Sequence, residues 1–123
     1  MNSKDSDTLD RKFQKDLNTG IAALVLLGVL NGATEPMYGY QIAKLIEEGK
    51  DETVSIKQGT LYPVLRALES SSLLESEVEP SVSGPPRRYY RITAAGRETL
   101  ERWSRIWKQT KALVDTLAEG GEQ

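Results

Sequence analysis

From about residue 9 to residue 30 the apolar positions recur at helical intervals. Leu17, Ile21, Leu24 and Gly28 share one face, and Leu26, Leu27 and Leu30 widen the stripe until the second half is apolar nearly all round. A helix of that kind belongs in the middle of a core or between two copies of a chain, and Asn31-Gly32 ends it. Residues 1–10 are polar and mix Lys4 with Asp5, Asp7 and Asp10, so a flexible N-terminus is expected there. A second, short helix is expected over residues 39–48 with Ile42, Leu45 and Ile46 inward, then a polar loop over residues 48–52. A third helix is expected over residues 58–71. Leu61, Val64, Leu65 and Leu68 form its buried stripe; Gly59, Pro63, Arg66 and Ser70 form the opposite face, flanked by Thr60, Tyr62 and Ala67. Pro63 has no N–H to donate, but it falls in the first turns and the residue four before it is Gly59.

After residue 73 the period changes to two. Leu74, Ser76 and Val78 alternate with Glu75, Glu77 and Glu79; Arg88, Tyr90 and Ile92 alternate with Arg87, Tyr89 and Arg91. The run Pro80-Ser-Val-Ser-Gly-Pro-Pro86 lies between them, so the two segments read as a hairpin with a long loop. Thr93 then suits the N-cap of a last helix. Leu100, Trp103, Trp107, Thr110, Val114 and Leu117 follow at alternating steps of three and four, a heptad seam widened by Ile106 and Leu113. Glu98–Arg102 and Glu101–Arg105 are acid-before-base pairs four apart, suited to exposed ion pairs.

The expected fold is mainly α with a small β-hairpin: three helices, the hairpin and a long helix, which is the plan of a winged helix-turn-helix with a C-terminal dimerisation helix. The organisation reads as a flexible N-terminus (1–10), a winged domain (11–92), a dimerisation helix (93–118) and a tail (119–123).

Composition narrows the chemistry. The 123 residues include neither cysteine nor histidine, which removes disulfides, thiolate metal sites and the commonest general base. Neither an enzyme nor a bound metal or cofactor is expected. The longest uninterrupted apolar run, Ile21 to Leu30, is ten residues, short of the roughly 20 that a membrane span needs. The N-terminus lacks the basic and apolar regions of a signal peptide, so a cytoplasmic location without membrane partners is expected.

The net charge of −2 argues against a nucleic-acid partner until its distribution is examined. Residues 35–55 carry two bases against five acids, and residues 73–80 carry three acids. Residues 56–72 are net +1, through Lys57, Arg66 and Glu69, and residues 81–92 are net +3, through Arg87, Arg88 and Arg91. The basic surplus lies in the third helix and the second strand, and local fields steer ligands more than the global sum does. An acid-free helix face with little bulk near the backbone suits the DNA major groove. Arg66 is placed to contact a base. Thr60, Tyr62 and Ser70 can donate to phosphates, Lys57 and Gln58 stand at the helix start, and Arg87 and Arg88 sit at the wing tip. Simpler roles are open as well. Arg87 and Arg91 can pair with Glu75, Glu77 and Glu79, Tyr89 and Tyr90 can be strand packing, and Tyr38 and Tyr40 can close the second helix onto the core.

Tyr38-Gly39-Tyr40, Gly59-Thr60-Leu61-Tyr62-Pro63-Val64-Leu65, Leu68-Glu69 and Pro86-Arg87-Arg88-Tyr89-Tyr90-Arg91-Ile92-Thr93 with Gly96-Arg97 resemble, in this order and spacing, the PadR family of transcriptional regulators. The resemblance covers about residues 12–117, and the single short C-terminal helix is similar to the smaller PadR subgroup. It implies a homodimeric winged-helix repressor that binds a double-stranded DNA operator through Tyr38, Tyr40, Lys57, Gln58, Thr60, Tyr62, Pro63, Arg66, Arg87 and Arg88. It implies pairing through the first and last helices, here Leu17, Ile21, Leu24, Leu100, Trp103, Ile106, Trp107, Thr110, Leu113, Val114 and Leu117. Three positions depart from the family pattern. Pro85 stands where a base often precedes the wing Pro-Arg, Ala67 stands where a base often precedes Leu68, and Ser72 stands where a glycine commonly follows the third helix.

Trp103 and Trp107 admit two readings: packing between copies, or walls of a pore that takes a planar aromatic effector, as the resemblance to flat-aromatic sensors implies for Trp107. A further alternative is a winged-helix module that binds protein rather than DNA, which the acidic second helix favours.

Overall fold

Helix α1 (Ser3–Gly32) passes unbroken from a polar exposed half into the centre of the molecule. The computed structural model describes residues 3–49 and 55–120. Its further elements are β1 (Met37–Tyr38), α2 (Gly39–Glu47), α3 (Gln58–Ser70), β2 (Leu74–Glu79), β3 (Arg87–Ile92) and α4 (Ala94–Ala118). The core joins Ala22, Leu26, Leu27 and Leu30 of α1 to Ile42 of α2, Leu61, Leu65 and Leu68 of α3, and Leu74, Tyr90 and Ile92 of the sheet.

Two expectations for α1 are corrected. The helix starts at Ser3, not near residue 9, so residues 3–10 are helical. No proline or glycine interrupts the chain before Gly20, Asp5 stands in the first turn where the dipole favours an acid, and Lys12 pairs with Asp16 at 2.7 Å. An 18-residue window of α1 is also apolar enough to cross a membrane by length and composition. The count of consecutive apolar residues misses this, because Asn18, Thr19 and Gly20 precede the run. In this fold the same helix supplies the core.

In α2, Ile42 and Ile46 are buried as expected, but Leu45 is 48% exposed. Inward positions of so short a helix are limited to one i, i+4 line. The loop expected over residues 48–52 lies, beyond Gly49, outside the described residues, as do residues 1–2 and 121–123. In α3, Leu61, Leu65 and Leu68 are buried and Val64 is half-buried. The end of α3 is closed by bonds from Leu73 N–H to Leu68 O and from Ser72 N–H to Glu69 O, both 2.9 Å. That pairing requires a left-handed residue, and Ser72 supplies it at φ 64°.

The hairpin spans the residues expected, with Leu74 opposite Ile92 and Glu79 opposite Arg87. The structure adds a strand that periodicity does not announce. Met37 and Tyr38 pair with Tyr90 and Tyr89 on the other side of β3, giving an antiparallel sheet of order β1-β3-β2. Thr93 caps α4 by accepting from Gly96 N–H at 3.0 Å. A Cβ at Gly96 would overlap the Leu73 carbonyl, so α4 docks closely onto the turn after α3. The anticipated pairs Glu98–Arg102 and Glu101–Arg105 are not among the ion pairs of the described residues. Arg102 donates to Thr99 Oγ1 instead, at 3.0 Å. The architecture is a winged helix-turn-helix with a long C-terminal helix.

Candidate nucleic-acid interface

The turn from β1 into α2 fixes one end of the site. Gln41 reaches back to accept from Tyr38 N–H at 3.1 Å, which ties the strand to the first turn of the helix. Gly39 is buried beneath the Tyr62 ring, and a Cβ there would overlap that ring. Only glycine lets α3 bring Tyr62 this close to the start of α2.

Tyr38 is the hub. The Arg87 guanidinium lies 4.5 Å from its ring centroid, Tyr89 meets it at 5.3 Å and 60°, and Tyr40 stacks at 6.4 Å and 20°. Arg87 thus turns away from Glu79, opposite it on β2, and has no acid within ion-pair distance among the described residues. Arg91 follows the simpler reading. Its Nε donates to Glu75 Oε1 at 2.7 Å, and that hydrogen bond and charge raise the Arg91 pKa. Arg88 Nη1 donates to Ser76 Oγ at 2.9 Å, and Ser76 Oγ donates to Glu69 Oε2 at 2.6 Å. This relay ties the wing to the end of α3. Tyr90 is strand packing, as expected: it is buried, and burial first, then Glu69, pushes its phenol pKa up.

These contacts bring Tyr38, Gly39, Tyr62, Arg66, Pro86, Arg87, Arg88 and Tyr90 around one groove of about 320 Å³ between α3 and the wing. Gln58, Gly59 and Pro63 are exposed on α3, and Tyr40 is exposed beside Tyr38. Lys57 and Thr60 line a second groove of about 340 Å³ with Arg11, Gln14, Lys15 and Asn18 of α1. Arg11 and Lys15 are absent from the sequence-derived site. Their i, i+4 spacing is visible in the chain, but that their face meets the start of α3 is a property of the packing.

Away from this face, Asp16, Leu17, Gly20, Ile21, Ala23 and Leu24 of α1 and Trp103, Ile106, Trp107 and Thr110 of α4 line an apolar groove of about 550 Å³. Leu100 and Trp103, expected on the seam between copies, are half-buried against the chain's own core. Ile106, Leu113, Val114 and Leu117 are exposed along α4, and Leu9 and Phe13 extend an exposed apolar stripe along α1 that the seam residues did not include.

The chain matches the family model described as the transcriptional regulator PadR-like family over residues 26–102. It is 38% identical over 91 residues to a transcriptional regulator of Mycobacterium tuberculosis, covering 73% of this chain and 75% of that protein. Among solved structures it is similar to a PadR family transcriptional regulator from Eggerthella lenta, with 32% identity, a TM-score of 0.81 and coverage of 96% of this chain and 99% of that one. It is also similar to a transcriptional regulator from Clostridium thermocellum, with 30% identity, a TM-score of 0.74 and coverage of 82% and 96%.

Proposed function

The chain belongs to the PadR-like family of transcriptional regulators, and from that premise we propose that it is a homodimeric repressor that binds a double-stranded DNA operator in the cytoplasm. One observation carries the reading: Arg66 of α3 and Arg87 and Arg88 of the wing open into the same groove with Tyr38 and Tyr62. A recognition helix and a backbone-gripping strand must present cations to one duplex, and this groove supplies both. Arg66 reads a base edge. Lys57, Gln58, Thr60, Tyr62 and Pro63 follow the groove, Tyr38 and Tyr40 flank it, and Arg87 and Arg88 hold phosphates.

Dimerisation rests on the exposed apolar positions of α1 and α4. Leu17, Ile106, Trp107, Leu113, Val114 and Leu117 leave more apolar surface in water than a lone protomer tolerates well. Joined through them, two copies would present two α3 helices to half-sites about 34 Å apart. The groove between α1 and α4, walled by Trp103 and Trp107, is apolar and suits a planar aromatic effector that alters half-site spacing and weakens DNA binding.

The test is footprinting of the DNA upstream of the chain's own coding sequence, with and without planar dyes, alongside tryptophan emission. Protection of two half-sites one helical turn apart supports the proposal. Absence of protection on any upstream segment overturns it and leaves the protein-binding module as the alternative. Unchanged emission with every dye removes the effector and leaves the tryptophans as packing.

A further inference from the structure

We propose that Arg11 and Lys15 of α1 hold DNA phosphates on the wall of the major groove opposite the wing. The inference rests on the reading that α3 enters that groove.

The helix geometry of α3 carries it. At about 3.6 residues per turn, Thr60 and Tyr62 fall on opposite flanks of the exposed face made by Gly59, Pro63 and Arg66. Tyr62 opens into the groove that holds Arg87 and Arg88. Thr60 opens into the other groove, where Arg11, Lys15 and Lys57 gather. The exposed face is therefore bracketed by cations on both sides. The major groove is about 12 Å wide and walled by two phosphate backbones. A helix lying in it meets phosphates on both flanks, and the wing can serve only one of them.

The charges are available for this. Among the described residues no acid lines the second groove. Among the described residues neither Arg11 nor Lys15 has an acid within ion-pair distance, whereas Lys12, the residue after Arg11, is held by Asp16 at 2.7 Å on another face of the helix. Asp7, one turn before Arg11 on the same face, stands outside the groove. The same helix buries Ala22, Leu26 and Leu27, so the two cations project from an element anchored in the core.

The experiment titrates the full-length protein, by fluorescence anisotropy over a range of salt, with two duplexes: the segment it protects in footprinting and a scrambled sequence of equal length. The Arg11→Gln/Lys15→Gln double variant is expected to lose about tenfold in affinity for both duplexes, with the slope of log affinity against log salt reduced by about 1.8 and the preference for the protected segment unchanged. Lys12→Gln is expected to keep the wild-type slope. A double variant with the wild-type slope, while Arg87→Ala lowers it, overturns this inference and leaves the DNA-binding reading standing. A Lys12→Gln slope as low as the double variant's also overturns it, by reducing the effect to net charge. If the wild-type protein binds neither duplex, the DNA-binding reading fails and this inference falls with it.

Discussion

The Arg87 guanidinium lies 4.5 Å from the ring centroid of Tyr38, so a residue of a two-residue strand sets the direction of a wing cation. Exposed cation–π contacts contribute about 0.5–1 kcal/mol. If the contact holds Arg87 toward a phosphate, Tyr38→Ala should weaken operator binding about two- to fivefold, whereas Tyr38→Phe should bind nearly as wild type because the ring face is kept. Anisotropy titration of the three proteins decides. Wild-type affinity in the alanine variant would remove any positioning role for Tyr38.

Ser72 closes α3 at φ 64°, a region in which a side chain crowds the following carbonyl. Both closing bonds are nevertheless made, and Thr93 Oγ1 donates to the Ser72 carbonyl at 2.8 Å. The strain is therefore borne by the fold. Ser72→Gly should raise unfolding stability by about 1 kcal/mol, seen as a higher urea midpoint with an unchanged slope. A lower midpoint would mean that the serine side chain contributes more than its backbone costs.

The hairpin and α3 were legible because their patterns are local. Alternation between two turn-rich segments locates β2 and β3, and the 58–70 stripe separates a buried from an exposed face without knowledge of the partner. β1 was not legible. Two residues have no period, and Met37 pairs with Tyr90 across more than fifty positions of sequence. The first turns of α1, ahead of residue 9, were obscured for a related reason: residues 3–8 bury nothing against the core, and their charge reads as a tail. The candidate DNA-binding residues on α3 and the wing follow from contiguous segments, while Arg11 and Lys15 come beside Lys57 and Thr60 only through the packing of α1 against the approach to α3.

Gly39 and Tyr62 occupy one another's space. Gly39→Ala places a methyl where the ring lies, and overpacking of this kind costs about 1–3 kcal/mol. The ring should leave its position in the groove, and operator affinity should fall with stability. In a double-mutant cycle, Gly39→Ala/Tyr62→Ala should be about as stable as Tyr62→Ala alone. Additive losses would show that the methyl clashes with something other than the ring.

Burial raises the Tyr90 pKa, with Glu69 adding to it, so the fold favours the neutral phenol. That contribution is present in full below the unfolded phenol pKa, near 10, and is lost as pH rises through the higher folded value. Urea midpoints measured between about pH 9 and 11 should fall less steeply for Tyr90→Phe than for wild type. Parallel curves would assign the alkaline loss to other groups.

Leu113 and Ile106 are 59% and 56% exposed on α4 and, a heptad apart, share one face of that helix. Neither belongs to the chain's own core, so a charge at both should leave the protomer folded and act on pairing alone. Ile106→Glu/Leu113→Glu is expected to sediment as a single protomer at micromolar concentration with an unchanged far-ultraviolet spectrum. A lone protomer engages one half-site and forgoes the effective concentration that the second α3 gains by linkage, so operator affinity should fall by a factor of about 100 or more. Affinity for a single half-site should change little, because Arg66, Arg87 and Arg88 line a groove to which neither residue contributes. A variant that still sediments as a dimer would place the contact elsewhere, with the Leu9–Phe13 stripe of α1 the next surface to charge.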